Sequence, residues 1–109
     1  GFENNLGTFV EIKKSCLNNK NKLAHNIFLG DTKIKSYNII GAGVITANFS
    51  NGEYNNCLIG SNSFIGCNTT IISPVKLGDN TVIGAGSTIN FNVRKNTKVI
   101  QKNMTYFSK

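Results

Sequence analysis

Residues 59–93 read IGSNSF IGCNTT IISPVK LGDNTV IGAGST INFNV in consecutive groups of six. An aliphatic side chain opens every group: Ile59, Ile65, Ile71, Leu77, Ile83 and Ile89. Four positions after each of these stands Ser63, Thr69, Val75, Thr81, Ser87 or Val93, all small or β-branched, and Gly60, Gly66, Gly78 and Gly84 directly follow four of the aliphatics. A helical face repeats at about 3.6 residues and a strand alternates at 2, so neither accounts for this register. Six residues suffice for one short strand and one corner, with the aliphatic inward and glycine or asparagine at the turn, where φ is free to be positive. Three such sides close a triangular coil of about 18 residues, and stacked coils form a parallel β-helix. Residues one coil apart then lie about 4.8 Å apart. Ile59 is expected beneath Leu77, Ile65 beneath Ile83 and Ile71 beneath Ile89.

The same rule extends toward the N-terminus through Leu6 and Ile12, then Leu17, Leu23 and Leu29, then Ile34 and Ile40, with the joins Ile12 to Leu17 and Leu29 to Ile34 one residue short. The register is lost after Thr46 and regained at Ile59. Residues 47–58 therefore read as a loop ejected from the wall, and loops on rigid scaffolds often carry function. The expected organisation is a β-helix over residues 1–93 followed by a basic tail, residues 94–109. The aliphatics and the small residues four places on are core, and the glycines, including those of the two G-A-G stretches at 41–43 and 84–86, are corner residues. Neither G-A-G stretch is a phosphate-loop or dinucleotide fingerprint, because no strand, glycine loop and amphipathic helix follow in order.

Composition bounds the function. The 109 residues are 39% hydrophobic and 16% charged, with Lys+Arg 12 against Asp+Glu 5 and a net charge of +7. This is enough for one domain. The charge suits phosphorylated small molecules, nucleic acid or an acidic partner, but the basic residues are scattered and lack aromatic interleaving, so no nucleic-acid partner is expected. No apolar run reaches the roughly 20 residues of a membrane span and no leader opens the chain, which points to a cytoplasmic protein without a membrane partner. Cys16, Cys57 and Cys67 show no C-x-x-C spacing, and one histidine excludes metal sites that need a His cluster. No metal is expected. The first residue is Gly1, so the start of a longer protein is expected to be missing.

Phe9-Val10-Glu11-Ile12-Lys13-Lys14, Leu23-Ala24-His25-Asn26-Ile27-Phe28-Leu29-Gly30-Asp31 and Ile40-Gly41-Ala42-Gly43-Val44-Ile45-Thr46-Ala47-Asn48-Phe49 resemble one family. It is the C-terminal acetyltransferase domain of the bifunctional UDP-N-acetylglucosamine pyrophosphorylase/glucosamine-1-phosphate N-acetyltransferases. The resemblance continues through Ile59-Gly60, Phe64-Ile65-Gly66, Ser73-Pro74-Val75 and Gly84-Ala85-Gly86 to about Val93. The hexads alone indicate the wider hexapeptide acyltransferase superfamily; the FVEIKK segment, the AH segment and the loop at Asn48 are specific to this member.

The resemblance implies an all-β, left-handed parallel β-helix that forms a homotrimer and transfers acetyl from acetyl-CoA to the 2-amino group of glucosamine 1-phosphate. The product feeds UDP-N-acetylglucosamine to peptidoglycan and lipopolysaccharide. Magnesium would belong to the absent uridylyltransferase domain. An amine attacking a thioester must lose a proton, which a neutral imidazole is suited to accept. His25 matches the family's general base and Glu11 the carboxylate that orients it. Lys13 matches a ligand of the sugar phosphate, Asn48 a residue beside the reacting amine and acetyl-CoA, and the backbone N–H of Ala42 the oxyanion donor. Ala85 matches a further acetyl-CoA contact. Four substrate or CoA positions depart from the family: Phe28 and Phe49 replace tyrosine, Ile39 replaces asparagine and Cys67 replaces serine. Lys102 stands for an arginine on a CoA phosphate, keeping charge without the planar fork, and a further substrate-gripping arginine would precede Gly1. These departures leave two alternatives: a non-catalytic trimeric β-helix, and an acyltransferase for another amino sugar.

Overall fold

In the computed structural model, which describes residues 1–101, the short strands specified by the hexads stack into three parallel walls. The first wall is six-stranded: Asn5–Leu6, Lys22–Leu23, Ile39–Ile40, Phe64–Ile65, Val82–Ile83 and Lys98–Val99. The second is five-stranded: Val10–Lys13, Ile27–Gly30, Ile45–Ala47, Thr70–Ile72 and Thr88–Ile89. The third is four-stranded, Cys16–Leu17, Thr32–Ile34, Cys57–Ile59 and Val75–Leu77, and is extended by a bridge from Leu77 to Val93. The chain visits the walls in turn, so the molecule is an all-β parallel β-helix of hexapeptide repeats with one ejected loop, consistent with the left-handed form.

Ile59 pairs with Leu77, Ile65 with Ile83 and Ile71 with Ile89, as the period requires. The core is these columns together with the small residues four places on, all buried from Ser63 to Val93. Asn21, Ile27, Thr32, Asn38, Val44 and Cys57 fill the same positions in the earlier coils. One column is interrupted: Thr46 occupies the aliphatic position of the second wall beneath Ile71. Its hydroxyl accepts the Gly30 N–H at 2.8 Å and lies 3.4 Å from the Phe28 carbonyl, so the buried polar atom is satisfied.

Coil length varies along the first wall, 17 residues from Leu6 to Leu23 and from Leu23 to Ile40, 25 from Ile40 to Ile65, 18 from Ile65 to Ile83 and 16 from Ile83 to Val99. Two expected boundaries shift accordingly. The wall does not end at Val93: a shortened last coil brings Lys98–Val99 against Val82–Ile83, and the missing residues hide its hexad. Lys102 and the rest of the expected basic tail lie outside the described residues. The ejected loop is narrower than 47–58, because Ala47 pairs with Ile72 and Cys57 with Thr32 and Val75 inside the walls. Between them, Phe49–Ser50 and Glu53–Tyr54 form an antiparallel hairpin. At the far end of the second wall, the Gln101 side-chain amide takes the place of a further strand, accepting the Thr88 N–H at 2.8 Å and donating to the Thr88 carbonyl at 2.9 Å.

The hexad glycines serve close approach between coils more than turning. A Cβ on Gly60, Gly66 or Gly78 would collide with the backbone of Asp79, Ala85 or Lys95 one coil on, and none of the three has positive φ. Positive φ falls two residues later, on Asn62, Asn68 and Asn80, a residue type that tolerates it.

Candidate active site

The corners between the third and first walls and between the first and second walls repeat one hydrogen-bond pattern. After the wall aliphatic, the next residue donates its N–H to the following coil, as Gly41 does to Ile65 and Lys35 to Ile59. The third residue after the aliphatic has positive φ and donates to the preceding coil, as Gly43 does to His25 and Tyr37 to Asn19. The residue between them points its N–H outward along the stack, where the pattern supplies no backbone partner.

The corner between the third and first walls fills these vacancies with side chains. Asn19 Oδ1 accepts the Phe2 N–H at 2.7 Å, Ser36 Oγ the Asn19 N–H at 3.0 Å, Ser61 Oγ the Ser36 N–H at 3.1 Å and Asp79 Oδ1 the Ser61 N–H at 2.8 Å. Every acceptor comes from the coil above. The equivalent positions at the corner between the first and second walls are His25, Ala42, Cys67 and Ala85. Alanine has no acceptor, and among the described residues nothing accepts a hydrogen bond from the N–H of Ala42, Cys67 or Ala85. Ala42 is half-buried; His25, Cys67 and Ala85 are exposed. Four of the expected site residues thus form one column with unfilled donors, spaced at about 4.8 Å per rung.

The second wall carries the others away from that column. Glu11 pairs with Phe28 on the next rung and Lys13 with Gly30. The Asn48 amide packs over Gly30, where a Cβ would collide with it and would also crowd the Phe28 ring. Asp31 anchors it, Oδ2 accepting from Asn48 Nδ2 at 2.8 Å. Phe49, on the ejected hairpin, is exposed and stacks on Tyr54 with ring centroids 4.8 Å apart, and Lys14 Nζ sits 5.6 Å from the Tyr54 ring. His25, Phe28, Glu11, Lys13 and Asn48 therefore line one wall, from the open corner to the root of the hairpin.

Two of the expected residues stand apart from their expected partners within a single chain. No hydrogen bond joins Glu11 to the imidazole among the described residues: Glu11 stands opposite Phe28, three residues past His25 at the corner. Ile39 faces outward from the first wall between Lys22 and Phe64, on the other side of the corner from Phe28. Sequence reasoning passed over Gly30, Asp31 and Thr46, which set the position of Asn48 and the strand beneath it. The signal available was Thr46, a polar residue in an aliphatic column. Burial pushes the Cys57 thiol up to about 12, so this cysteine is a core residue. Among the described residues, no cluster of His, Cys, Asp and Glu could hold a metal ion, and no helix is long and apolar enough to cross a membrane.

Residues 56–90 match the family model for the bacterial transferase hexapeptide (six repeats). Over 84 residues the chain is 48% identical to the bifunctional protein GlmU of Clostridium kluyveri, covering 77% of this chain and 18% of that protein. Over 97 residues it is 42% identical to GlmU of Clostridium botulinum and 43% identical to GlmU of Baumannia cicadellinicola, covering 89% of this chain and 21% of each. The chain spans about a fifth of the length of these relatives. Among solved structures it superposes on AntD, an N-acyltransferase from Bacillus cereus in complex with dTDP and 3-hydroxybutyryl-CoA, with a TM-score of 0.68 at 15% identity, covering 84% of this chain and 64% of that one. Serine acetyltransferase isoform 3 of Entamoeba histolytica superposes with a TM-score of 0.55 at 18% identity, over 87% and 36% of the two chains. Both share the fold.

Proposed function

We propose that this hexapeptide-repeat domain, homologous over most of its length to the acetyltransferase part of the bifunctional GlmU proteins, transfers acetyl from acetyl-CoA to the amino group of glucosamine 1-phosphate. The observation that carries the reading is the column of His25, Ala42, Cys67 and Ala85, whose corner positions lack the caps that fill the neighbouring corner. A thioester laid along that column meets unfilled N–H donors. The amine nitrogen forms a bond to the acetyl carbon, the Ala42 N–H takes the developing oxyanion, and the His25 imidazole receives the proton the amine must lose. The carbon–sulfur bond then breaks, and the thiolate leaves with a proton. Lys13, at the far end of the wall, offers a point charge to the sugar phosphate. Asn48, held by Asp31, is placed to orient the amine. Glu11 is the positioning residue for the imidazole, a contact that needs rotation of two exposed side chains.

The active assembly in this reading is a homotrimer with the site between subunits. Ile39, Phe64 and Val82 form an outward ladder on the first wall and are 48%, 43% and 39% exposed, an apolar strip that a second copy would cover and that would bring Ile39 to a neighbour's substrate wall. Sedimentation equilibrium should give three times 11.8 kDa, about 35 kDa. The transfer itself is tested by CoA release from acetyl-CoA and glucosamine 1-phosphate. Loss of a general base costs about 100-fold or more in kcat, and release no faster than in His25→Ala would end the proposal. Phe28 supports a second reading, an acyltransferase for another amino sugar, because a ring without a hydroxyl stands at the centre of the wall. A panel of amino-sugar phosphates and nucleotide-linked amino sugars, compared by kcat/KM, separates the two.

A further inference from the structure

The outside of the third wall carries a groove of about 650 Å³ that has no part in the proposed transfer. Lys33 and Lys76 stand on the wall one rung to either side of Leu58. Lys35 lines the corner beside Lys33, and Arg94 and Lys95 line the groove at its other end. One acidic residue, Asp79, lies among them, and its Oδ1 is already engaged by the Ser61 N–H. None of the cations forms an ion pair among the described residues. Two rungs separate Lys33 from Lys76, about 10 Å. The groove is therefore cationic at both ends with an aliphatic middle, and its floor stays low because a Cβ on Gly60 or Gly78 would strike the next coil.

We propose that this third-wall groove binds a small metabolite carrying phosphate groups at both ends, Lys33 and Lys35 holding one phosphate, Lys76, Arg94 and Lys95 the other, and Leu58 covering the body between them. Ammonium groups serve as point charges for phosphate and the guanidinium as a fork. The volume lies within the roughly 300–1,000 Å³ of small-molecule sites. An extended peptide is disfavoured because the strands Thr32–Ile34 and Cys57–Ile59 are paired on both sides, leaving no edge to take a further strand. Nucleic acid is disfavoured because no aromatic side chain lines the groove for a base to stack on. A second copy of this chain is disfavoured here because five cations line the groove against one carboxylate, and the apolar strip proposed for self-association lies on the first wall instead.

The test titrates the chain with fructose 1,6-bisphosphate, glucose 6-phosphate, inorganic phosphate, a pentaglutamate peptide and a short oligothymidylate by calorimetry at low salt. Acetyl transfer is not measured, so the result is independent of the function proposed above. The bisphosphate should bind at least about tenfold tighter than either monophosphate, since each additional charge-assisted contact is worth about a factor of ten or more. Lys33→Glu and Lys76→Glu should each weaken it by about tenfold or more, whereas Lys22→Glu on the first wall should change it less than about twofold. Unchanged thermal melts would show that these exposed substitutions leave the fold intact. Equal affinity for mono- and bisphosphate, insensitivity to both groove substitutions, no saturation by about 1 mM, or tighter binding of the peptide or oligonucleotide would each overturn the proposal.

Discussion

Replacing Cys67 by asparagine should stabilise the fold and abolish acetyl transfer together. At the corner between the third and first walls, Asn19 Oδ1 reaches down one coil to the Phe2 N–H at 2.7 Å. Cys67 stands in the same relation to Ala42, one coil above it at the equivalent corner position, with the Asn68 N–H bonded to the Ala42 carbonyl. An asparagine there supplies the neutral acceptor that the Ala42 N–H lacks. A net hydrogen bond of this kind contributes about 0.5–1.5 kcal/mol, and the exposure of residue 67 favours the lower half of that range. The same bond removes the donor proposed for the oxyanion, a loss of about 100- to 1,000-fold in kcat, or roughly 2.7–4 kcal/mol of transition-state stabilisation. Urea unfolding and CoA-release kinetics on the same preparation measure the two effects. Cys67→Ala, which has no acceptor, should keep kcat within about threefold, far inside the cost of a lost donor. Opposite signs exclude misfolding as the cause of lost activity. A destabilised Cys67→Asn variant, or a stabilised one that still turns over, would refute the reasoning.

Other consequences follow from the same contacts. Asn38 is fully buried, with Nδ2 donating to the Gly60 carbonyl at 2.7 Å and Oδ1 accepting the Ser63 N–H at 2.8 Å, so Asn38→Leu strands two buried backbone groups. At about 1–3 kcal/mol each, the urea-derived stability should fall by about 2–6 kcal/mol, and a loss below about 1 kcal/mol would contradict the account. Cys57, with its thiol pushed up to about 12 by burial, stays protonated in the native state while the unfolded thiol ionises from about 9.0 upward. Between those values the unfolded state binds fewer protons, so stability should fall with rising pH by up to about 4 kcal/mol, relative to Cys57→Val measured at the same pH. A stability difference between the two proteins that stays flat from about pH 9 to 12, the window set by those thiol values, would show that the thiol does not titrate as described. Asp31→Ala frees the Asn48 amide from its 2.8 Å hydrogen bond, and kcat/KM should drop about tenfold, with stability changed by no more than about 1 kcal/mol; unchanged kinetics would remove Asp31 from the positioning of Asn48.

How much of this is legible in the sequence depends on what a residue answers to. From Ile59 to Ile89 the coils are of constant length, so inward residues recur at six and the stacking partners can be written down in advance. Where coils shorten to 17 or 16 residues the period slips, which is why the final rung at Lys98–Val99 escapes a hexad reading although Val99 stacks on Ile83 in the same column. The hexad glycines look like turn residues, yet their backbone is ordinary and their constraint is the coil above, a contact between residues about 18 apart that no local pattern reports. The proposed site residues are legible by resemblance, since Glu11, Lys13, His25 and Asn48 keep the family's spacing. Their geometry is not. Yet the open corner does leave a trace once the coil length is known. Reading one position per coil gives Asn19, Ser36, Ser61 and Asp79 along one corner, every one an acceptor, and His25, Ala42, Cys67 and Ala85 along the next, where both alanines have none. The two corners share one backbone pattern and differ, at the middle position of each coil, in whether the side chain caps the coil below. On this argument the proposed catalytic edge is made by leaving out caps, and the stability forgone at each open N–H is what would keep a donor available to an acyl group.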